Sequence, residues 1–260
     1  MKFDRCVSCT WTALVIVLML VSAAVANATD DGKAAKTVLV TGANRGLGLE
    51  FARQYSEAGW SVIGTARKPA EATELRKLGV RILQLDVTDP ESVARLAADL
   101  GELPLDMLIN NAGYANRDGS MEFEKLNFEG VERAIAVNTL GPMRVTGALL
   151  PNLRRGELKK IVNITSGLGS IADNEVGRYY GYRESKAALN MFTRSLAMNY
   201  KDEGFTCVVM SPGWVRTDMG GPEAALSPAE SIAGMRRVIA GLTIEDTGTF
   251  QSWDGRIRKW

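Results

Sequence analysis

The sequence predicts an α/β protein, a doubly wound, mostly parallel sheet of about seven strands flanked by helices on both faces. Two observations lead there. From Lys36 onward, short β-rich apolar runs alternate with longer amphipathic ones, the order expected when parallel strands are joined by crossover helices. Most of the short runs are apolar throughout, as strands covered on both faces are.

Strands are expected at 37–41, 61–66, 81–85, 107–110, 160–165 and 206–210, with a short one near Phe250. Helices are expected at 47–58, 70–78, 90–100, 128–150, 180–200 and 228–240. No repeat, linker or shift of composition divides residues 29–260, which read as one domain. Right-handed crossovers then put a ligand at the carboxyl ends of the strands.

Composition removes several function classes. With 46% apolar and 23% charged side chains, the 260 residues are those of a globular chain, not a disordered one. Thirty-one basic against 30 acidic residues leave a charge of +1 with no run of one sign, so nucleic acid is not an expected partner. The chain has no histidine, which excludes His-dependent nucleophiles and imidazole zinc sites; no metal is expected. Proton chemistry falls to Tyr, Lys, Asp, Glu or Cys.

Residues 1–28 read as a separate segment. Lys2 and Arg5 precede a charge-free stretch from Cys6 to Thr29, and Ala26-Asn27-Ala28 offers small residues for cleavage. Its apolar run is shorter than the about 20 residues of a spanning helix. A signal peptide and export, periplasmic or secreted, are therefore expected. The alternatives are an uncleaved membrane anchor, or a mis-assigned start and a cytoplasmic protein. Without Lys2, Asp4 and Arg5 the remainder is neutral, and its only thiol is Cys207, so it forms no internal disulfide. Cys6 and Cys9 form a C-x-x-C pair with neither a second pair nor a folded βαβ unit beside it.

The first strand run leads directly into Thr41-Gly42-Ala43-Asn44-Arg45-Gly46-Leu47-Gly48 and then a helix. Gly42 permits a sharp strand exit, Gly46 lets backbone N–H groups approach a phosphate, and Gly48 lets the helix pack closely on the sheet. The spacing G-x-x-x-G-x-G departs from G-x-G-x-x-G, and alone it also fits a glycine-rich turn. About 20 residues on, where an NAD-specific chain carries an acid, the second strand ends Thr65-Ala66-Arg67-Lys68. Arg67, with Arg45, would instead clamp a 2′-phosphate, so NADP(H) is expected over NAD(H). Two solvated arginines are the plain alternative.

Further motifs follow in order: Asp86-Val87-Thr88, Asn110-Asn111-Ala112-Gly113, Val137-Asn138, Ile164-Thr165-Ser166, Tyr182-x-x-x-Lys186 and Ser211-Pro212-Gly213-Trp214-Val215-x-Thr217. With the glycine loop, these resemble the short-chain dehydrogenase/reductase family over nearly all of residues 36–260. Residues 182–190, the Pro212-Gly213-Trp214-Val215 segment, and Asp254-Gly255 with Trp260 look like its sniffer-like or C-factor-like carbonyl reductase branch. The resemblance implies a Rossmann-like fold with Asn138, Ser166, Tyr182 and Lys186 as the catalytic set. It implies a cofactor site of Gly42, Asn44, Arg45, Gly46, Leu47, Gly48, Arg67, Asp86, Val87, Asn111, Ala112, Gly113, Tyr182, Lys186, Val215 and Thr217. Asp86 would meet adenine or cap the helix start between Thr88 and Glu91. Asn111 is expected to tie strand ends together, and Thr217 to meet the nicotinamide amide or serve as an ordinary turn residue.

The catalytic reading also stands on chemistry. Tyr182 and Lys186 are one helical turn apart, so an ammonium can stabilise the phenolate and pull the tyrosine pKa toward neutrality. Tyr179 and Tyr180 instead meet Arg183 and Glu184 four residues on. Tyr182 would then protonate a carbonyl oxygen as hydride arrives, with Ser166 bonded to the same oxygen. Pro142 has no N–H for the Asn138 carbonyl, which frees that carbonyl for a water or simply kinks the helix. The loop between Ser166 and Tyr182 is longer than is usual in the family and rich in glycine.

An NADP(H)-dependent oxidoreductase of the carbonyl reductase or alcohol dehydrogenase type is the first reading, acting on a small-molecule carbonyl or alcohol. A nucleotide-binding signalling or sensor protein with little turnover is the second. Apolar residues around much of helix 180–200, together with helix 128–150, suggest a homo-oligomer.

Overall fold

The computed structural model describes residues 35–115 and 120–260. The expected leader at 1–28, with Cys6 and Cys9, lies outside the described residues. The strands are β1 (Thr37–Val40), β2 (Ser61–Ala66), β3 (Arg81–Gln84), β4 (Met107–Asn110), β5 (Lys160–Ile164), β6 (Thr206–Ser211) and β7 (Phe250–Ser252). All pair in parallel, in the order β3-β2-β1-β4-β5-β6-β7. The order reverses between β1 and β4, the switch point at whose carboxyl ends doubly wound sheets take their ligands.

Apolar runs without alternation arise because each strand feeds two cores. Val38, Val40, Ile109, Val162 and Met210 face one side and pack on Phe51, Ala52, Ile232 and Met235. Leu39, Leu108, Ile161 and Cys207 face the other, against Val93, Leu96, Leu149 and Leu196. The first side is covered by α1 (Gly46–Glu57) and α7 (Pro228–Gly241) with the short α2 (Thr73–Lys77), and the second by α3 (Pro90–Leu100), α5 (Gly141–Arg155) and α6 (Tyr182–Tyr200).

Three expectations need correction. The expected helix 70–78 is a 3-10 turn, Pro69–Glu71, followed by α2. The expected helix 128–150 is α4 (Phe128–Ile135), a π-turn (Ala136–Leu140) and α5. Pro142 cannot continue an α-helical ladder, and the widened turn reaches its end by the Gly141 N–H bonding the Ala136 carbonyl. Helix α3 is capped by Asp89, whose side chain accepts the Glu91 N–H, with Pro90 in the first turn. Asp86 instead accepts the Thr88 N–H and hydroxyl at 2.9 and 2.7 Å.

Candidate active site

The glycine loop leaves β1 by a left-handed turn at Gly42, φ +66°. A Cβ on Gly48 would lie 2.2 Å from the Gly42 carbonyl oxygen and 2.6 Å from Asn111 Nδ2, so only glycine lets α1 begin this close to the strand ends. Asn111 is spent on this cradle: its Nδ2 donates to the Thr41 and Gly42 carbonyls at 2.9 and 3.2 Å. The Thr41 hydroxyl accepts the N–H groups of Asn111 and Ala112, both at 3.0 Å. No side chain caps α1, which leaves its N-terminus, with the positive end of its dipole, to meet a phosphate. Gly46 and Leu47 form that first turn, beside Asn44 and Arg45. A bound dinucleotide fits these residues.

Arg67 is exposed just past β2. Arg45 pairs with Asp218 at 3.0 Å, both largely exposed, a contact worth little in water. Burial raises the Asp86 pKa, but the Thr88 hydrogen bonds and the charges of Arg67 and Arg133 outweigh it and hold the carboxyl below its ordinary value. Val87 is buried, touching the place a Gly141 side chain would fill. Ala112 is half-buried and Gly113 exposed, the latter near the Asn138 side chain and Met219. Val215 is buried and bridges to Leu226. Thr217 bonds the Gly220 N–H at 3.2 Å and lies against Gly46, so its turn role and its place over the glycine loop coincide.

Tyr182 opens α6 after Gly181, whose φ is +80°. Its hydroxyl lies 3.9 Å from the Met219 sulfur and has the Ser166 hydroxyl beside it, a polar neighbour that favours the phenolate. The Ser166 oxygen accepts the Leu168 N–H at 3.1 Å, and its own O–H is not engaged by that bond. Lys186 lies one turn on, its ammonium 5.8 Å from the Tyr182 ring centre and donating to the Ile164 carbonyl at 2.8 Å. Burial depresses Lys186 to about 8. Burial likewise raises Tyr182 above the ordinary phenol value, with the neighbouring Ser166 hydroxyl only partly offsetting it. The expected fall of the Tyr182 pKa toward neutrality is therefore reversed: both groups are desolvated, and the ammonium is bonded to a carbonyl and not to the phenol.

Asn138 is fully buried, and its side chain is occupied. Oδ1 accepts the Tyr114 N–H at 2.8 Å, while Nδ2 donates to the Tyr114 carbonyl at 2.8 Å and the Ser185 hydroxyl at 2.9 Å. It braces the chain after β4 against α6. Cys207 is buried, its thiol pushed up to about 12, and takes no part.

Sequence reasoning missed Thr41, Met219 and Arg183. The buried Arg183 donates to the Gly177, Arg178 and Leu168 carbonyls at 3.1, 3.1 and 3.3 Å, spanning the Ser166–Tyr182 loop. Arg178 and Tyr179 there have positive φ values of 62° and 55°, so this anchoring offsets backbone strain. Its signal was in view, since Arg183 follows Tyr182 directly.

The family model for short chain dehydrogenase matches residues 36–226. C-signal of Myxococcus xanthus is 45% identical over 157 residues, 60% of this chain and 93% of that protein. The NADPH-bound carbonyl reductase from chicken fatty liver superposes with a TM-score of 0.80 at 37% identity, covering 88% of this chain and 100% of that one. Carbonyl reductase Sniffer of D. melanogaster gives a TM-score of 0.81 at 31% identity, over 87% and 100%.

Proposed function

The chain belongs to the short chain dehydrogenase family of oxidoreductases, and from that premise we propose that it is an NADP(H)-dependent carbonyl reductase. The observation that carries the reading is the Ser166–Tyr182 pair at the carboxyl ends of the strands, one helical turn from the buried Lys186. When bound, the reduced nicotinamide supplies a hydride. The high Tyr182 pKa keeps its hydroxyl protonated through neutral pH, so Tyr182 delivers the proton to the carbonyl oxygen. Ser166 donates to the same oxygen and steadies the charge that develops there. Lys186 keeps donors beyond the one given to Ile164, and these hold the ribose hydroxyls. Arg67 and Arg45 supply the charge for a 2′-phosphate.

The test is NADPH oxidation against a panel of ketones and aldehydes. Tyr182→Phe should lose at least about 10²-fold in turnover with cofactor affinity unchanged; retention of most turnover would reject Tyr182 as the acid. The likeness to C-signal favours a second reading, nucleotide-dependent signalling, which a signalling phenotype surviving Tyr182→Phe would support. A homo-oligomer through α4, α5 and α6 would cover Phe128, Met143, Met191 and Met198, all exposed. A leader at 1–28 would export the protein or anchor it in a membrane, and sequencing the mature N-terminus decides between these and a cytoplasmic start.

A further inference from the structure

The turn that carries Ser166 is held from two sides. Residues Gly167–Gly169 form a 3-10 turn capped by the Ser166 side chain. On one side Gly169 packs on α6, where a Cβ would come within 2.8 Å of Lys186 Cβ. On the other, a Cβ on Gly167 would meet Arg258 Nη2, Cζ and Nη1 at 3.1, 3.2 and 3.6 Å. Those comparable distances set the face of the guanidinium over the position that a Gly167 side chain would fill. Arg258 is itself fixed: Nη2 donates to Asp173 Oδ2 at 2.7 Å, its N–H to the Phe250 carbonyl at 2.7 Å, and its guanidinium carbon stands 5.8 Å from the Phe250 ring centre. Beyond it, the Trp260 carbonyl accepts the Ala172 N–H at 2.9 Å, and the Trp260 ring packs 5.6 Å from that of Phe250. The segment 256–260 thus straps the loop that follows β5.

We propose that Arg258 is a positioning residue for the reaction, acting through Gly167 and the Asp173 ion pair to hold the Ser166 hydroxyl against Tyr182. Among the described residues it makes no hydrogen bond to Tyr182 or Ser166. The other contacts of the turn come from Arg183 at the Leu168 carbonyl, Asn190 at the Gly169 carbonyl and Ser211 at the Gly167 N–H. Each of those fixes one backbone group, whereas the Arg258 guanidinium supplies the nearest atoms to the side-chain position of Gly167. Without it the turn retains its hydrogen bonds but gains room to rock away from Lys186, taking Ser166 with it.

The proposal rests on the carbonyl reductase reading for its kinetic consequence, and its structural consequence can be read without turnover. In Arg258→Ala, hydrogen–deuterium exchange at the amides of Leu168, Gly169 and Ser170 should speed up at least tenfold, with exchange in β1, α1 and β4 unchanged. Kinetically, kcat for carbonyl reduction should fall about tenfold while the dissociation constant for NADPH stays within twofold. The alkaline limb of the kcat profile should move to higher pH, because the nearby Ser166 hydroxyl lowers Tyr182 against its burial; Lys186 is the charged group facing that ring. Arg258→Lys should restore part of kcat by keeping the Asp173 pair, and Asp173→Asn should reproduce the loss in milder form. Unchanged exchange at 168–170 in Arg258→Ala overturns the strap. Faster exchange with unchanged kcat and pH profile overturns the positioning role. Should the parent protein reduce no carbonyl at all, the proposed reaction falls, and the exchange result still decides the strap.

Discussion

Replacing the buried lysine should make the protein more stable at neutral pH while abolishing its chemistry. Lys186 is 4% exposed. Its ammonium has the Ile164 carbonyl as partner at 2.8 Å, and no carboxylate offsets the burial. A fall from 10.5 in water to about 8 in the folded chain corresponds to about 3 kcal/mol of destabilisation. Lys186→Met keeps the length of the side chain, removes that cost, and leaves the Ile164 carbonyl without its donor, a loss of about 1–2 kcal/mol. The net gain at pH 7 is about 1–2 kcal/mol, or about 4 °C in Tm for a unit of this size. The sign depends on pH. Below pH 8 the lysine is protonated in both folded and unfolded states and the full cost applies. Between 8 and 10.5 the folded form sheds its proton first, and above 10.5 neither state is charged, so the cost disappears and the parent becomes the more stable of the two. Urea unfolding of both proteins at pH 7 and at pH 10.5 reads this directly, alongside NADPH oxidation, which should fall at least about 10²-fold in the variant. A variant less stable than the parent at pH 7, or a difference that does not change with pH, would refute the assignment of Lys186 as a desolvated ammonium whose burial no carboxylate offsets.

Arg67→Asp should weaken NADPH at least about tenfold while sparing NADH, since a charge-assisted bond of roughly 1.5–3 kcal/mol becomes a repulsion; fluorescence titration with both cofactors checks it, and equal losses for the two would remove Arg67 from the 2′-phosphate. Gly48→Ala should shift the loop or the helix that follows it, because its new Cβ would stand 2.2 Å from a backbone carbonyl, and a loss of more than about 3 kcal/mol is expected by urea titration. Met191→Glu, on the exposed face of α6, should yield monomers by light scattering if α4–α6 form an interface, with an unchanged melting profile for the isolated subunit.

Much of the fold was legible because the apolar runs are long enough to carry their own period. Expected spans 61–66 and 107–110 match β2 and β4 residue for residue, and Pro90, a residue suited to the first turn of a helix, marked the start of α3. Where the reading failed, one residue had two local explanations. Pro142 suggested either a kink or a freed carbonyl, and the chain adopts a π-turn across 136–140, whose i→i+5 bonding no periodicity of 3.6 announces. Asp86 was the candidate cap for the helix start between Thr88 and Glu91, but Asp89 has the oxygen that reaches the Glu91 N–H.

The candidate site divides along a physical line. Groups that would do chemistry were legible, since a phenol, an ammonium, a hydroxyl and a glycine loop are residue types with few substitutes. The groups that support them bind backbone carbonyls and N–H groups, which every residue carries, so sequence holds no trace of the partner. Thr41 bonds the amides of residues 70 and 71 positions away, and Arg183 reaches the Leu168 carbonyl across the loop. The same division explains the reversed pKa of Tyr182. Spacing along a helix states how near Lys186 is, but not how much water either group has lost, and here desolvation outweighs proximity. In the proposed carbonyl reduction, a tyrosine held above its ordinary value would keep its proton at neutral pH until a carbonyl oxygen arrived to take it, and Ser166 would meet the same oxygen.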